Sequence, residues 1–315
     1  MVNLFQYNKE PHNMKAKLIV LFIICCSTTL FGQKMAKDTW RLFYLGGQSN
    51  MDGYGYNNQL PDSLNKTFEK VFIFHGNPVG DNEKNGGVGN WKKLRPGHGV
   101  GFSSDSVSNT YSDRFGVELS FASKLQQLYP NDKIAIIKYS RGGTSLDSLA
   151  TYGGSWDPDF SGINQYDHFL STLKNALKIK DINKDGTEDI LIPQGIIWMQ
   201  GESDADYIEE KVAKKYFFHL DRMMKLQRAS FHNNELPIVI GKISDSYNDE
   251  NGKVWDYLEL VQYAQEQFAK KDKNTSIVRS TKKYKYSDPW HYDSKGFIDL
   301  GKQFAKAIKK LNDDK

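Results

Sequence analysis

Cysteine is nearly missing from this chain of 315 residues: there are two, Cys25 and Cys26, side by side near the N-terminus. Long apolar runs are missing too, and none reaches the roughly twenty residues that a membrane-spanning helix needs. The longest, 18–26, reads Leu-Ile-Val-Leu-Phe-Ile-Ile-Cys-Cys. Lys15 and Lys17 precede it, and small and polar residues follow to Gly32. That order is the basic, apolar and small-residue pattern of a secretory signal peptide. We read 1–32 as that leader, with Met14 as the expected start and cleavage after Gly32. The protein is then exported, to the periplasm or beyond the cell. Neither cysteine follows the Gly, Ala or Ser that a lipoprotein signal requires. Both leave with the leader, which excludes disulfides, thiol nucleophiles and cysteine metal sites from residues 33–315.

An excess of charge of one sign is also lacking. Lys and Arg number 42 against 38 Asp and Glu, a net charge of +4. It falls to +2 once Lys9, Lys15, Lys17 and Glu10 go with the leader. No basic block remains, so nucleic-acid binding has no electrostatic footprint. With 39% hydrophobic and 25% charged residues the composition is that of an ordinary globular protein. Residues 33–315 suit one α/β domain, with no internal repeat and no linker to divide it.

What is present is a series of short apolar runs that end in polar, glycine-bearing turns. The first, 42–45, has the aromatic enrichment of a buried strand and runs into Gly46-Gly47-Gln48-Ser49-Asn50-Met51-Asp52-Gly53. A serine on such a turn is held clear of its own backbone, as in a nucleophile elbow, although the second elbow glycine is missing. The local pattern equally admits a serine that caps the following helix. Further strands are expected at 71–74, 134–139, 195–199, 236–243 and 276–280. Helices are expected at 117–128, 169–179, 207–228, 254–270 and 295–311. The stretch 57–112, rich in Gly and Asn, reads as long loops around the 71–74 strand. This alternation predicts a parallel sheet with helices on both faces. Turns at Ser49, at Gly142-Gly143 and at Gln200-Gly201-Glu202 would then share one edge of the sheet. The loop before the last helix delivers His291 to the same edge, and that convergence favours a chemical role for Ser49.

Gly47-Gln48-Ser49-Asn50-Met51, Gly142-Gly143-Thr144-Ser145, Trp198-Met199-Gln200-Gly201-Glu202-Ser203-Asp204 and Asp288-Pro289-Trp290-His291 together resemble the motif series of SGNH hydrolases. More narrowly they resemble the sialate O-acetylesterase and acetyl xylan esterase branch, over roughly residues 40–311. The resemblance implies a flavodoxin-like α/β/α sandwich and removal of acetyl groups from sugars, through a serine nucleophile and an acyl-enzyme. It implies no cofactor for the chemistry.

Ester hydrolysis by serine needs an activated hydroxyl, a near-neutral base, a group that orients the base, and donors for the oxyanion. Ser49 is the candidate nucleophile. Of seven histidines, only His291 has an aspartate three residues before it in a loop, and it is the candidate base. His75, His98, His168, His219 and His232 read as surface or capping residues. For the orienting acid the spacing to His291 favours Asp288, while the acetyl xylan esterase branch offers Glu202. The backbone N–H groups of Ser49 and Gly143 and the side chain of Gln200 are the expected oxyanion donors. Asn50, Arg141 and Trp290 are expected to touch the sugar. Trp91, Tyr152, Trp156 and Tyr166 are further candidates for stacking on its ring.

One motif stands apart. Asp181, Asn183, Asp185 and Asp189 follow the start of a calcium loop, with Gly186 at the turn, but Ile192 replaces the bidentate glutamate of an EF-hand. A structural Ca²⁺ site and a plain polar turn are both open. The function expected is an exported carbohydrate O-acetylesterase. The alternatives are a catalytically idle glycan-binding protein on the same fold, or an esterase for other short acyl chains. The partner is an acetylated carbohydrate, with no stable membrane insertion.

Overall fold

Strand β1, Thr39–Gly47, runs through the middle of a seven-stranded sheet. The structure is a computed structural model that describes residues 37–250 and 252–314, and the leader read at 1–32 lies outside them. After β1 come α1 (Ser49–Asp52), β2 (Val71–His75), β3 (Trp91–Lys93), α2 (Glu118–Leu128) and β4 (Lys133–Ser140). They are followed by α3 (Gln165–Lys178), β5 (Ile190–Met199), α4 (Glu202–Asp206) and α5 (Glu210–Ser230). The chain ends with β6 (Ile238–Gly241), α6 (Leu258–Lys271), β7 (Thr275–Val278) and α7 (Ser294–Asp313).

The order across the sheet is β7-β6-β5-β1-β4-β2-β3. All neighbours are parallel except β3, which pairs antiparallel with β2 at one edge. The expected α/β sandwich with a parallel central sheet is therefore present. The sequence alternates around β1 as a two-sided sheet requires. Phe43 meets Phe121 of α2 edge-on at 5.4 Å, while its neighbour Tyr44 packs on Phe169 of α3 at 4.8 Å. Because successive side chains on a strand point to opposite faces, α2 and α3 lie on opposite sides. Helix α7 packs with α2 and helix α6 with α5. Asn164 and Asp293 cap α3 and α7 through bonds to Asp167 N and Gly296 N.

The expected helix 207–228 is α5, and the short helix α4 precedes it. The strand at 91–93 was not expected from sequence, since Trp-Lys-Lys shows no apolar alternation. The chain moves to one side of β1 for β2 and β4, then to the other for β5 onward. In open α/β sheets that reversal opens a crevice at the carboxyl ends of the strands. Ser49 stands there, flanked by the turns after β4 and β5.

A buried lysine fixes this edge. Lys138 is fully buried in β4, in the run Ile134-Ala-Ile-Ile-Lys-Tyr139. Its ammonium donates to the carbonyl of Asp52 at 2.8 Å, the carbonyl of His98 at 2.7 Å and Glu118 Oε2 at 2.9 Å. It ties the end of α1 to the 98 loop and to the start of α2. Lys138→Met leaves Glu118 and two carbonyls buried without their donor. We expect a loss of about 3–5 kcal/mol in urea unfolding, whereas Lys214→Met, on the exposed ion pair with Glu210, should cost less than about 1 kcal/mol.

Candidate active site

The turn after β1 admits only glycine at its pivot. Gly47 has φ +143°, and a Cβ there would stand 1.9 Å from the Met199 carbonyl oxygen. Gln48 then donates its N–H to that same oxygen at 2.9 Å and accepts at its own carbonyl from Met51 and Asp52 N–H. The helix-cap position is Gln48, with no side-chain cap bond, and Ser49 is the first residue inside α1. The capping reading of Ser49 is thereby removed. Ser49 lines a cleft of about 380 Å³ together with His291, Arg141, Gly142, Gly143 and Trp290.

His291 comes from the loop before α7. Its Nδ1 is 2.9 Å from Asp288 Oδ2, while Asp288 Oδ1 accepts from the backbone N–H of Trp290 and His291 at 2.9 and 2.8 Å. Burial acts to raise Asp288, but these bonds outweigh it and hold the carboxyl below its usual range. Asp288 therefore accepts, Nδ1 carries the proton, and Nε2 keeps its lone pair. Burial lowers His291 below the ordinary imidazole range against the pull of Asp288, and Arg114 adds to the lowering. The ring is neutral at neutral pH, as a base must be.

Glu202 is placed differently. It is buried, its Oε1 accepts from Asn50 Nδ2 at 2.8 Å, and its Oε2 has no protein partner. Burial raises it to about 7, against the lowering effect of the Asn50 bond. It is hydrogen-bonded toward the histidine loop through Asn50, which also donates to the Trp290 carbonyl and accepts from Tyr292 N–H. Asn50, expected to touch substrate, is 1% exposed with both ends of its amide engaged. It is a brace between α1 and the histidine loop.

The sequence matches the family described as carbohydrate esterase, sialic acid-specific acetylesterase, over residues 39–310. The chain belongs to that family. Among solved structures it is similar to a protein from Arabidopsis thaliana, with 20% identity, a TM-score of 0.61 and coverage of 88% of this chain and 100% of that one. It is also similar to NanS, at 16% identity and TM-score 0.59, covering 89% of this chain and all of NanS. A carbohydrate acetylesterase from Xanthomonas citri matches at 16% identity and TM-score 0.58, over 87% of this chain but only 57% of its own length. At these identities the likenesses speak for the fold. No curated protein matches the sequence.

For a member of this acetylesterase family, several side chains stand where the sequence did not put them. Gln200, expected as an oxyanion donor, is fully buried and its amide is spent inside the protein. Nε2 donates to Asp204 Oδ2 at 2.6 Å, to Thr144 O at 3.1 Å and to Gln48 Oε1 at 3.2 Å, while Oε1 accepts from Tyr216. Gly143, at φ +72°, does line the cleft. Arg141 lines it too, makes no ion pair among the described residues, and has a buried Nε without a protein partner. Of the aromatic candidates, Trp91 and Trp156 are core residues, bonded to Ala176 O and Thr144 Oγ1, and Tyr166 packs on Phe169. Tyr152, 62% exposed, and Trp290, 50% exposed, remain for a sugar.

Tyr54, Asp52, Ser203, Asp206 and Trp255 also line the cleft and were not singled out from sequence. Asp52, beside Ser49, and Ser203, inside the 198–204 motif, were the two with a local signal. His75, His98 and His168 are buried, contrary to the surface reading: His75 and His98 meet at Nδ1 across 3.3 Å and both stack on Phe102. A larger cavity of about 530 Å³ beside β7 is lined by Lys270, Thr275, Ser276 and the Arg279–Glu266 ion pair, with no histidine in its lining to act as a base.

In the 181–189 loop, Asp181, Asn183 and Asp185 accept backbone N–H groups of the loop itself. Asp189 is occupied at both oxygens, by Trp40 Nε1 and Ile182 N at 2.7 Å each. Among the described residues no group of three or more His, Cys, Asp or Glu is placed to hold a metal ion.

Asp288→Asn and Glu202→Gln should differ in kind. Neutralising the acid that sets the imidazole tautomer should cost about four decades in kcat. Glu202→Gln should cost far less in rate and change the pH dependence of stability. A raised folded pKa gives stability that is full below the unfolded value and lost as pH rises through the folded one. Melting curves should therefore move in favour of Glu202→Gln, relative to wild type, as pH rises from near 4.5 to about 7.

Proposed function

We propose that this protein removes acetyl groups from sugars by a serine mechanism. The observation that carries it is that Ser49, on the first turn of α1, and His291, oriented by Asp288, line one cleft. In the proposed reaction His291 Nε2 takes the Ser49 hydroxyl proton as Oγ bonds to the acetyl carbonyl carbon. The sugar oxygen leaves with that proton, and water, activated by the same histidine, releases acetate from the acyl-enzyme. The oxyanion is held by the N–H groups of Ser49, which has no intrahelical acceptor at the start of a helix, and of Gly143.

The substrate we infer is an acidic sugar, an O-acetylated sialic acid or an acidic acetylated glycan. The family description supports it, and so does the guanidinium of Arg141 at the cleft, which makes no ion pair among the described residues, since such a fork suits a carboxylate. Tyr152 and Trp290 supply apolar faces for the ring. Among the described residues no helix is long and apolar enough to cross a membrane, and export on the 1–32 leader completes the proposal. The chemistry needs no metal. If the 181–189 loop takes Ca²⁺, the effect is on stability alone, so a chelator should leave the rate per folded molecule unchanged.

Ser49→Ala should lower acetate release by several orders of magnitude without unfolding the protein. Retention of a tenth of the activity removes Ser49 from the mechanism. Arg141→Leu should raise KM for O-acetylated sialic acid by about tenfold or more and leave that for a neutral acetylated xylan nearly unchanged. Equal effects on both substrates exclude carboxylate recognition.

A further inference from the structure

One face of the His291 ring is covered by Tyr54. Tyr54 lies flat on the imidazole, with ring centroids 3.5 Å apart and planes 5° from parallel. Two neutral aromatic rings avoid this arrangement, because their quadrupoles repel unless the rings are offset or edge-on. A cationic ring over a tyrosine face is attracted instead. The stack is therefore better matched to imidazolium than to imidazole.

Its placement is fixed from several sides. Arg114 Nη1 donates to the Tyr54 carbonyl at 2.9 Å, and Gly55 and Tyr56 pair antiparallel with Phe115 and Arg114. Before it, Gly53 at φ +105° packs against Gly116, where a Cβ would stand 2.2 Å from the Gly116 Cα. After it, Tyr56 N–H donates to Ser294 Oγ at 2.9 Å, three residues beyond His291. The charged and titratable groups around the pair are Asp288 on the imidazole edge, Arg114 with its guanidinium over the Tyr56 ring, and Asp52 and Arg141 near Tyr54. Arg114 opposes a charge on His291 and Asp288 supports it, while Tyr54 covers its face.

We propose that Tyr54 is a positioning residue that stabilises the imidazolium of His291 formed as Ser49 loses its proton, through face-on contact of the two rings. The inference rests on the serine mechanism above. Because the attraction grows only when the proton arrives, it favours the transition state over the resting enzyme and lowers the barrier. The tyrosine hydroxyl has no part in it, so phenylalanine should serve.

The test uses Tyr54→Leu and Tyr54→Phe with two readouts. In the rate profile, Tyr54→Leu should lower kcat by about twofold to thirtyfold. It should also move the acid limb of kcat/KM to lower pH by about half a unit to one and a half units. Tyr54→Phe should restore the limb and most of the rate. A loss carried by KM alone, or Phe as impaired as Leu, overturns the proposal and makes Tyr54 a wall for the sugar. The second readout is the NMR titration of His291 in an inactive Ser49→Ala background, which does not depend on turnover. Its midpoint should fall in Tyr54→Leu and hold in Tyr54→Phe, and an unmoved midpoint in both overturns the stack. Activity surviving in His291→Ala would instead sink the serine mechanism, and the titration would still decide whether Tyr54 stabilises the charged ring.

Discussion

The side chain of Asn50 sets the relation between the parts of this site. It stands next to Ser49, donates to Glu202 on the turn after β5 and to the Trp290 carbonyl, and accepts from Tyr292 N–H. The two residues on either side of His291 are thus bonded to the residue after the candidate nucleophile. A primary amide is the group that suits this place, since it offers donors at one end and an acceptor at the other. An acid would repel Glu202, and an apolar residue would leave buried backbone groups unpaired. Glu202, raised to about 7 by burial, then has a reason to be present without touching the imidazole.

Two other buried networks hold the same edge. Gln48 takes N–H groups from Gln200, Gly201 and Ser203 on one carbonyl oxygen, at 3.2–3.3 Å. Lys138 draws the end of α1 toward the 98 loop and Glu118. Between them the turn after β1 is anchored to both neighbouring strands and to the helix layer. The cleft can then be lined by groups that are free to meet a ligand, Arg141 above all, because the positioning is done by residues behind it.

Much of this was legible in the sequence where the signal is local. Apolar runs that stop at glycines gave the parallel strands, and the three-residue spacing of Asp288 and His291 let one short loop form their bond. Roles that depend on distant packing were not legible. Gln200 lies in the expected turn, but only the fold reveals that Asp204, Thr144 and Gln48 consume its amide. Trp91 and Trp156 look like loop aromatics until the sheet and α3 close over them. Lys138 sits in an apolar run, an anomaly whose meaning depends on carbonyls 40 and 86 residues away. Tyr54 had no mark at all, since its partner is brought to it by the last helix.

The central claim is that Ser49 carries the acetyl group during turnover. It is tested most directly by quenching the enzyme in acid within its first turnovers on an acetylated sugar and mapping the peptides by mass spectrometry. The account predicts one added acetyl group on the peptide that holds Ser49, absent from Ser49→Ala. An acetyl group on another residue, or turnover with no acetylated peptide at any quench time, would contradict it.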